Sequence, residues 1–302
     1  MDVVVTGASG LIGTDLVDAL GRAGHRAVKL VRRPSRGADE VTWDPKAGTL
    51  DAASLEGTGA AVHLAGAGIA DHRWTDAYKR ELVDSRVGPT GLLARTLAGL
   101  TRPPTVLVSG SAIGWYGDRG DAVLTEASER GTGFLSDLCR DWEAATQPAS
   151  DAGIRVAHVR TGVVLSANGG ALAKQLPLFK LGLGGRMGSG RQWSSWVSID
   201  DEVGAIMHLL TADVSGPVNV TAPNPVTNSD FTKALGAAVK RPSVFPIPSF
   251  GPKLLLGGEL ADNLLFQGAR ILPAVLQSSG FAFRHPEIGE ALAALLAKPR
   301  AA

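Results

Sequence analysis

The chain opens on Val-Val-Val and runs straight into Thr-Gly-Ala-Ser-Gly-Leu-Ile-Gly, residues 6–13, with glycines at 7, 10 and 13. Few features restrict a fold as tightly. Three consecutive β-branched residues ask for an extended run. The stretch LIGTDLVDALGRAG that follows carries apolar residues at helical spacing and stops at Gly24. A strand must therefore turn into a helix within a few residues. Glycines allow the tight turn, let a ligand approach the backbone, and bring helix close to strand, while the first helical amides face outward. The group such a turn suits is a pyrophosphate, held by Gly7, Ser9, Gly10, Leu11, Ile12 and Gly13. A glycine turn with no ligand is the plain alternative.

Short β-rich runs then alternate with longer amphipathic stretches over the first two thirds of the chain. HRAVKLVRR, GAAVHLAGAG, PTVLVSGS and IRVAHVRTGVVL read as strands, and segments from about 75 to 100 and from 134 to 152 as helices. Strands apolar on both faces, with helices between them, predict an α/β protein: a Rossmann-type, doubly wound parallel sheet with ligands at its carboxyl edge. After Leu165 the glycine-rich SANGGALAKQLPLFKLGLGGRMGSGRQ marks an excursion. WVSID is expected to return to the sheet, followed by the helix DEVGAIMHLLTA and the strand GPVNVTAP; further helical patterns lie at 228–239, about 250–276 and 286–297. The expected organisation is a nucleotide-binding domain over 1–165 and 195–222. Residues 166–194 and 223–302 would form a smaller, mainly helical C-terminal domain on the substrate side.

At 302 residues the chain can bury a full core. Its net charge of +1 comes from interspersed residues of both signs, which argues against nucleic acid as a partner. Six scattered histidines and a single cysteine, Cys139, give no metal site and no internal disulfide. No signal-peptide pattern precedes the first strand, and no apolar stretch is long enough for a bilayer. The expectation is a cytoplasmic protein that works on a small molecule, with no nucleic-acid or membrane partner. The oligomeric state stays open.

About twenty residues past the glycine turn, an acidic residue would accept from an adenine-ribose hydroxyl. Here KLVRRPSR places Arg32 and Arg33. A guanidinium matches a 2′-phosphate, so NADP(H) is expected in preference to NAD(H), with two solvated arginines as the alternative. HLAGAG ends the next strand in small residues, putting Leu64, Ala65 and Gly66 against the cofactor unless they merely pack the loop. Ser109 and Gly110 are counted with them. VSGSAIGWYGD holds one of only two tyrosines. Ser111, where a strand end meets the expected nicotinamide, and Tyr116 are the catalytic candidates; for Trp115 and Tyr116 packing is the competing role. RMGSGRQWSSW offers Arg186, Arg191, Gln192, Trp193 and Trp196, a set suited to an anionic or ring-bearing substrate or to packing between lobes. Asp200 and Asp201 read as a helix cap, and Cys139 as a small buried residue.

TGASGLIG, HLAGAGI, VSGSAIGWYGD, RTGVVL and WVSIDD, in this order and spacing, resemble the extended short-chain dehydrogenase/reductase superfamily. HRWTDAYKRELVDSR, FLSDLCRDWEAA, LPLFKLGLGGRMGSGRQWSSWVSIDD and QGARILPAVLQSSGFAFRHP narrow the resemblance to its atypical epimerase-like subfamily, within the NAD-dependent epimerase/dehydratase family. The resemblance covers essentially the whole chain. It implies a Rossmann fold, an NADP(H) site and a small C-terminal substrate-side domain. It also makes Arg73, Trp74, Ser85 and Arg86 candidates to line the cleft, where a solvated helix face is the bland alternative. The chain departs from the wider superfamily in one respect. Those enzymes use a tyrosine followed four residues later by a lysine, which lowers the phenol's pKa for proton transfer. At the corresponding spacing stand Leu135 and Cys139, and four residues beyond Tyr78 and Tyr116 stand Leu82 and Gly120. Two functions remain in play. One is an NADP(H)-dependent oxidoreductase or epimerase acting on an anionic or nucleotide-linked substrate, with protons handled by Ser111 and water, Tyr116 or the substrate. The other is a binding or regulatory protein that carries NADP(H) as a structural or sensing ligand.

Overall fold

The computed structural model describes residues 1–297. Its strands in chain order are β1 (Asp2–Thr6), β2 (Arg26–Val31), β3 (Glu40–Asp44), β4 (Thr49–Leu50), β5 (Ala60–His63), β6 (Val106–Ala112) and β7 (Val123–Leu124). Then follow β8 (Arg155–Thr161), β9 (Val163–Leu165), β10 (Trp193–Ser194), β11 (Trp196–Ser198), β12 (Gly216–Val220), β13 (Val226–Thr227) and β14 (Arg270–Ile271). Eight of them form one sheet in the order β12-β8-β6-β5-β1-β2-β3-β4, parallel except for β4. The order reverses between β1 and β5, which opens a crevice at their carboxyl ends.

Alternation along the strands builds the core. Val3, Val5, Val62, Val108 and Val159 face one side, where they meet Leu16 and Leu20 of α1 (Leu11–Arg22). Val4, Ala61, Leu107 and Val156 face the other, where Leu93, Ala94 and Leu97 cover them. Each fully buried leucine is worth about 1.5–3 kcal/mol.

The long helical segment expected from 75 to 100 is two helices, α2 (Asp76–Asp84) and α3 (Val87–Ala98). Thr75 caps α2 by accepting from the Tyr78 amide, and Pro89, which lacks an N–H, fits only the first turn of a new helix. The helix expected from 134 to 152 likewise divides into α4 (Phe134–Ala144) and α5 (Gln147–Asp151), with Pro148 in the opening turn of α5.

WVSID does not rejoin the sheet. β11 pairs in parallel with β9 as a separate ribbon, and β10 pairs with β13, so the sheet resumes only at β12. The glycine-rich excursion contains α6 (Gly170–Lys180), and α7 (Ile199–Thr211) follows β11. Ser198, and neither Asp200 nor Asp201, caps α7; the Asp201 carboxylate accepts the Arg284 and His285 amides and ties down the C-terminal segment. On the same helix the Glu202 side chain is fully buried. Thr161 donates to its Oε1 at 2.8 Å, its Oε2 has no partner, and burial pushes its carboxyl up to about 8.

Past α8 (Asn228–Ala238) the expected helix from 250 to 276 breaks into α9 (Phe250–Leu256), α10 (Gly258–Ala261), a π-turn, β14 and α11 (Ala274–Ser278). Gly257, at φ +92°, divides the first two. The last helix, α12 (Ile288–Ala297), packs with α8 and the main core. No helix among the described residues is long and apolar enough to cross a membrane. Residues 298–302 of the expected C-terminal domain lie outside the described part.

Candidate functional site

At the β1–α1 turn, Gly7 has φ +68°, and a Cβ there would stand 2.7 Å from the Leu64 carbonyl oxygen at the end of β5. A Cβ on Gly13 would meet the Gly7 oxygen at 2.1 Å. Both positions therefore exclude any side chain. Gly10 caps α1 with no side-chain hydrogen bond, and the helical ladder starts at the Thr14 amide. The amides of Leu11, Ile12 and Gly13 precede it and are left to other acceptors. Ser9 and Gly10 are exposed beside them. A turn closed to side chains at Gly7 and Gly13, at the positive end of a helix, fits a pyrophosphate.

Behind this turn lies a lock that the sequence reading missed. The Thr6 hydroxyl accepts from the Leu64 and Ala65 amides, each at 3.1 Å, and its proton goes to His63 Nδ1 at 2.8 Å. Burial pulls His63 down to about 4, so its ring is neutral. Leu64, Ala65 and the exposed Gly66 thus leave β5 on a fixed path along the crevice.

The two arginines after β2 differ. Arg33 makes a bidentate pair with Glu40, both contacts at 2.7 Å, and with the Arg36 amide this holds the Glu40 carboxyl down to about 2. Arg32 is exposed and makes no hydrogen bond or ion pair with any described residue. Only one guanidinium of the expected pair is at liberty to meet a phosphate.

Ser111 and Tyr116 stand otherwise than expected. The Ser111 hydroxyl, 4% exposed, donates to Glu143 Oε1 at 2.6 Å. Arg160 grips the same carboxylate through Nε at 2.8 Å and Nη2 at 2.9 Å. A third nitrogen, Nη1, donates to the Tyr116 oxygen at 3.1 Å, and Tyr116 donates to Asn219 Oδ1 at 2.6 Å. Asn219 donates on to the Leu272 carbonyl, while its own amide donates to Glu126, which also accepts from Val275. Arg160 lies 3.8 Å from the Trp115 ring centroid, and Tyr116 is fully buried. Both hydroxyl protons are spent inside this network, so neither side chain holds one ready to leave toward a ligand. Ser109 is fully buried within β6, and Gly110 lies under Trp142, where a Cβ would be 2.9 Å from the ring. Cys139 is buried with its thiol pushed up to about 12, and Leu135 packs over Gly114.

Before α2 and at its junction with α3, three of the four expected cleft residues hold the path out of β5. Ser85 Oγ accepts from the Ala67 amide at 3.1 Å, and Arg86 Nη2 donates to the Ala67 carbonyl at 2.8 Å. Trp74 donates to the Ile69 carbonyl at 2.9 Å, whereas Arg73 reaches away to the carbonyls of Leu254 and Leu255 at the end of α9. In the glycine-rich excursion, Gln192 spends its amide on the Met187 and Leu265 carbonyls, and Arg186 donates to the Gly188 carbonyl. Trp196 is fully buried, with its indole donating to the Asn224 carbonyl; it is core and lines nothing. Trp193 stays half-buried, donating to Asp121, with the Arg270 guanidinium 4.7 Å from its ring centroid. Arg270 has no acid partner, and its Nε is buried without an acceptor.

Arg160 and Glu143 left a trace in the sequence, a charged residue inside the apolar run IRVAHVRTG and another one helical turn past Cys139. Thr6, His63, Asn219 and Arg270 left none that spacing could reveal.

Residues 3–221 match the model of the NAD dependent epimerase/dehydratase family, and residues 247–295 match a domain of unknown function, DUF1731. An epimerase family protein of Mycobacterium bovis is 45% identical over 298 residues, covering 98% of each chain. The crystal structure of the human epimerase family protein SDR39U1 with NADPH superposes with a TM-score of 0.91 at 34% identity, over 99% of this chain and 100% of that one. A nucleoside-diphosphate sugar epimerase from Corynebacterium glutamicum gives 0.79 at 41% identity over 98% of this chain, which spans 58% of the larger protein. With a family model over most of its length and relatives of this similarity end to end, the chain belongs to the NAD-dependent epimerase/dehydratase family.

Proposed function

We propose that this chain binds NADP(H) and exchanges hydride between it and an anionic or nucleotide-linked small molecule held under the C-terminal lobe, without a protein acid or base of the usual kind. The observation that carries the proposal is the bare β1–α1 cradle with Arg32 unpaired beside it. Leu11, Ile12 and Gly13 would hold the pyrophosphate through their amides, and Arg32 would select the 2′-phosphate. Leu64–Gly66, fixed by Thr6, would lie along the dinucleotide. When bound, the dinucleotide supplies a hydride donor or acceptor. Ser111 and Tyr116 keep their protons inside the Glu143–Arg160 network, so the proton is left to the ligand or solvent. The NADPH carried by the human relative supports the dinucleotide form. Unpaired Arg270 over Trp193 supports an anionic partner. The single buried thiol is in keeping with a reducing cytoplasm.

The second reading, a sensing or regulatory protein, draws on Leu135 and Cys139 where proton-transfer groups would stand. Calorimetry with NADPH and NADH tests the binding. Arg32→Ala is expected to weaken NADPH about 10- to 100-fold and NADH little, since a charge-assisted contact is lost; equal losses refute the assignment. NADPH deuterated at the transferring carbon then tests the chemistry. Deuterium found in a carbonyl or nucleotide-sugar acceptor marks the oxidoreductase, and binding with no transfer across a broad panel marks the sensor.

A further inference from the structure

Arg86 is 8% exposed and carries its charge without a carboxylate partner. Its Nη1 donates to the Leu82 carbonyl at 3.1 Å and its Nη2 to the Ala67 carbonyl at 2.8 Å, but Nε is buried with no acceptor. A buried cation answered by two carbonyls, a hydroxyl at 3.5 Å and an aromatic face, with no carboxylate, is costly, and an unmet buried donor adds to that cost. Its position is informative. The guanidinium carbon is 3.3 Å from where a Cβ of Gly66 would be, at the carboxyl end of β5, and it sits 5.1 Å from the Trp142 ring centroid. Trp142 and Cys139 share the buried face of α4, and Cys139 is within electrostatic reach of Arg86.

We infer that Arg86 takes the place of the missing α4 lysine, its Nε–H donating to an oxygen at the nicotinamide-ribose end of the bound dinucleotide. This rests on the proposed dinucleotide site. Arg86 binds and positions one half of the ligand, as Arg32 does the other.

The test uses two ligands and four proteins: NADPH and adenosine 2′,5′-bisphosphate, which has only the adenine half, against wild type, Arg86→Met, Arg86→Lys and Arg86→Met with Cys139→Lys. Arg86→Met is expected to melt at or above the wild-type temperature, because an unpaired buried charge is removed. It is expected to bind NADPH about 10-fold or more weakly and the bisphosphate unchanged. Cys139→Lys in that background restores NADPH binding by returning a charge from α4, and Arg86→Lys keeps it within a few-fold. The inference is overturned if Arg86→Met binds NADPH as wild type does, if both ligands weaken equally, or if Cys139→Lys restores nothing. Should Arg86→Met not fold, Arg86→Lys decides: retained NADPH affinity upholds the inference, and a loss of 10-fold or more overturns it. A wild-type protein that binds neither ligand removes the site itself, a result distinct from all of these.

Discussion

The turn between β1 and α1 and the polar network between α4 and β8 lie at the same edge of the sheet, yet they are built on opposite plans. The turn is closed to side chains at Gly7 and Gly13, and its Leu11, Ile12 and Gly13 amides and the Arg32 guanidinium stand without hydrogen-bond partners. In the network the side-chain donors of Ser111, Arg160, Tyr116 and Asn219 meet acceptors within the protein, although the buried Trp115 indole N–H beside them does not. Unmet polar groups are retained where something binds, and satisfied ones where something must be held rigid. The difference teaches which half of the edge has polar groups left over for a ligand and which half is tied to itself.

Breaking the network is expected to have the largest effect. Glu143→Ala strands Arg160, 3% exposed at its side chain, and is expected to cost about 3–5 kcal/mol in urea unfolding. Glu143→Leu with Arg160→Met costs far less, and a single variant that costs no more than the double would show that the pair is idle. Next comes Glu202. Its carboxyl is at about 8 when folded, against 4.5 as the ordinary value. Below pH 4.5 it is protonated in both states; as pH rises toward 8 the unfolded chain alone ionises, so native stability is lost. Glu202→Gln removes that slope and is expected to gain about 3 kcal/mol over wild type at pH 7 and almost nothing near pH 4.5. A difference that does not grow with pH contradicts a neutral buried acid.

Tyr116→Phe is a smaller blow. It leaves Asn219 Oδ1 without a donor at a cost of about 1–3 kcal/mol. Affinity for NADPH stays within about 2-fold if Tyr116 is scaffold, so a large loss of binding without loss of stability would return it to the ligand side. The smallest effect belongs to Arg33→Ala. Its guanidinium serves Glu40, so NADPH and NADH should weaken alike and by no more than about 2-fold, as for other surface pairs. Selective loss of NADPH would mean that Arg33 shares the work of Arg32.

The shape of the β1–α1 turn was legible, because glycine at 7 and 13 acts through local geometry that spacing records. The sheet was legible for the same reason: apolar runs alternate faces whatever lies beside them. What spacing does not record is which side chain across the fold takes a given proton. Ser111 looked available because Glu143, thirty-two residues on, and Arg160, on the next strand, are brought to it only by tertiary packing. Trp196 looked like a ligand platform because an aromatic in a polar loop and one in a core have the same letter. The breaks at Ser85–Arg86 and at Gly257 were present in the letters, but helical periodicity ran through them.

β12 closes the sheet, and it is made of residues 216–220 laid against β8, Arg155–Thr161. While the chain is being synthesised, the outer edge of β8 therefore stays bare until the whole glycine-rich excursion has left the ribosome. A gene fragment ending at residue 165 would expose that strand's hydrogen-bonding row to any other strand nearby, and it is expected to clump when expressed alone. The stretches on either side of β12 also meet directly, β10 against β13 and Gln192 against the Leu265 carbonyl, so maturation of the nascent protein waits on its final third.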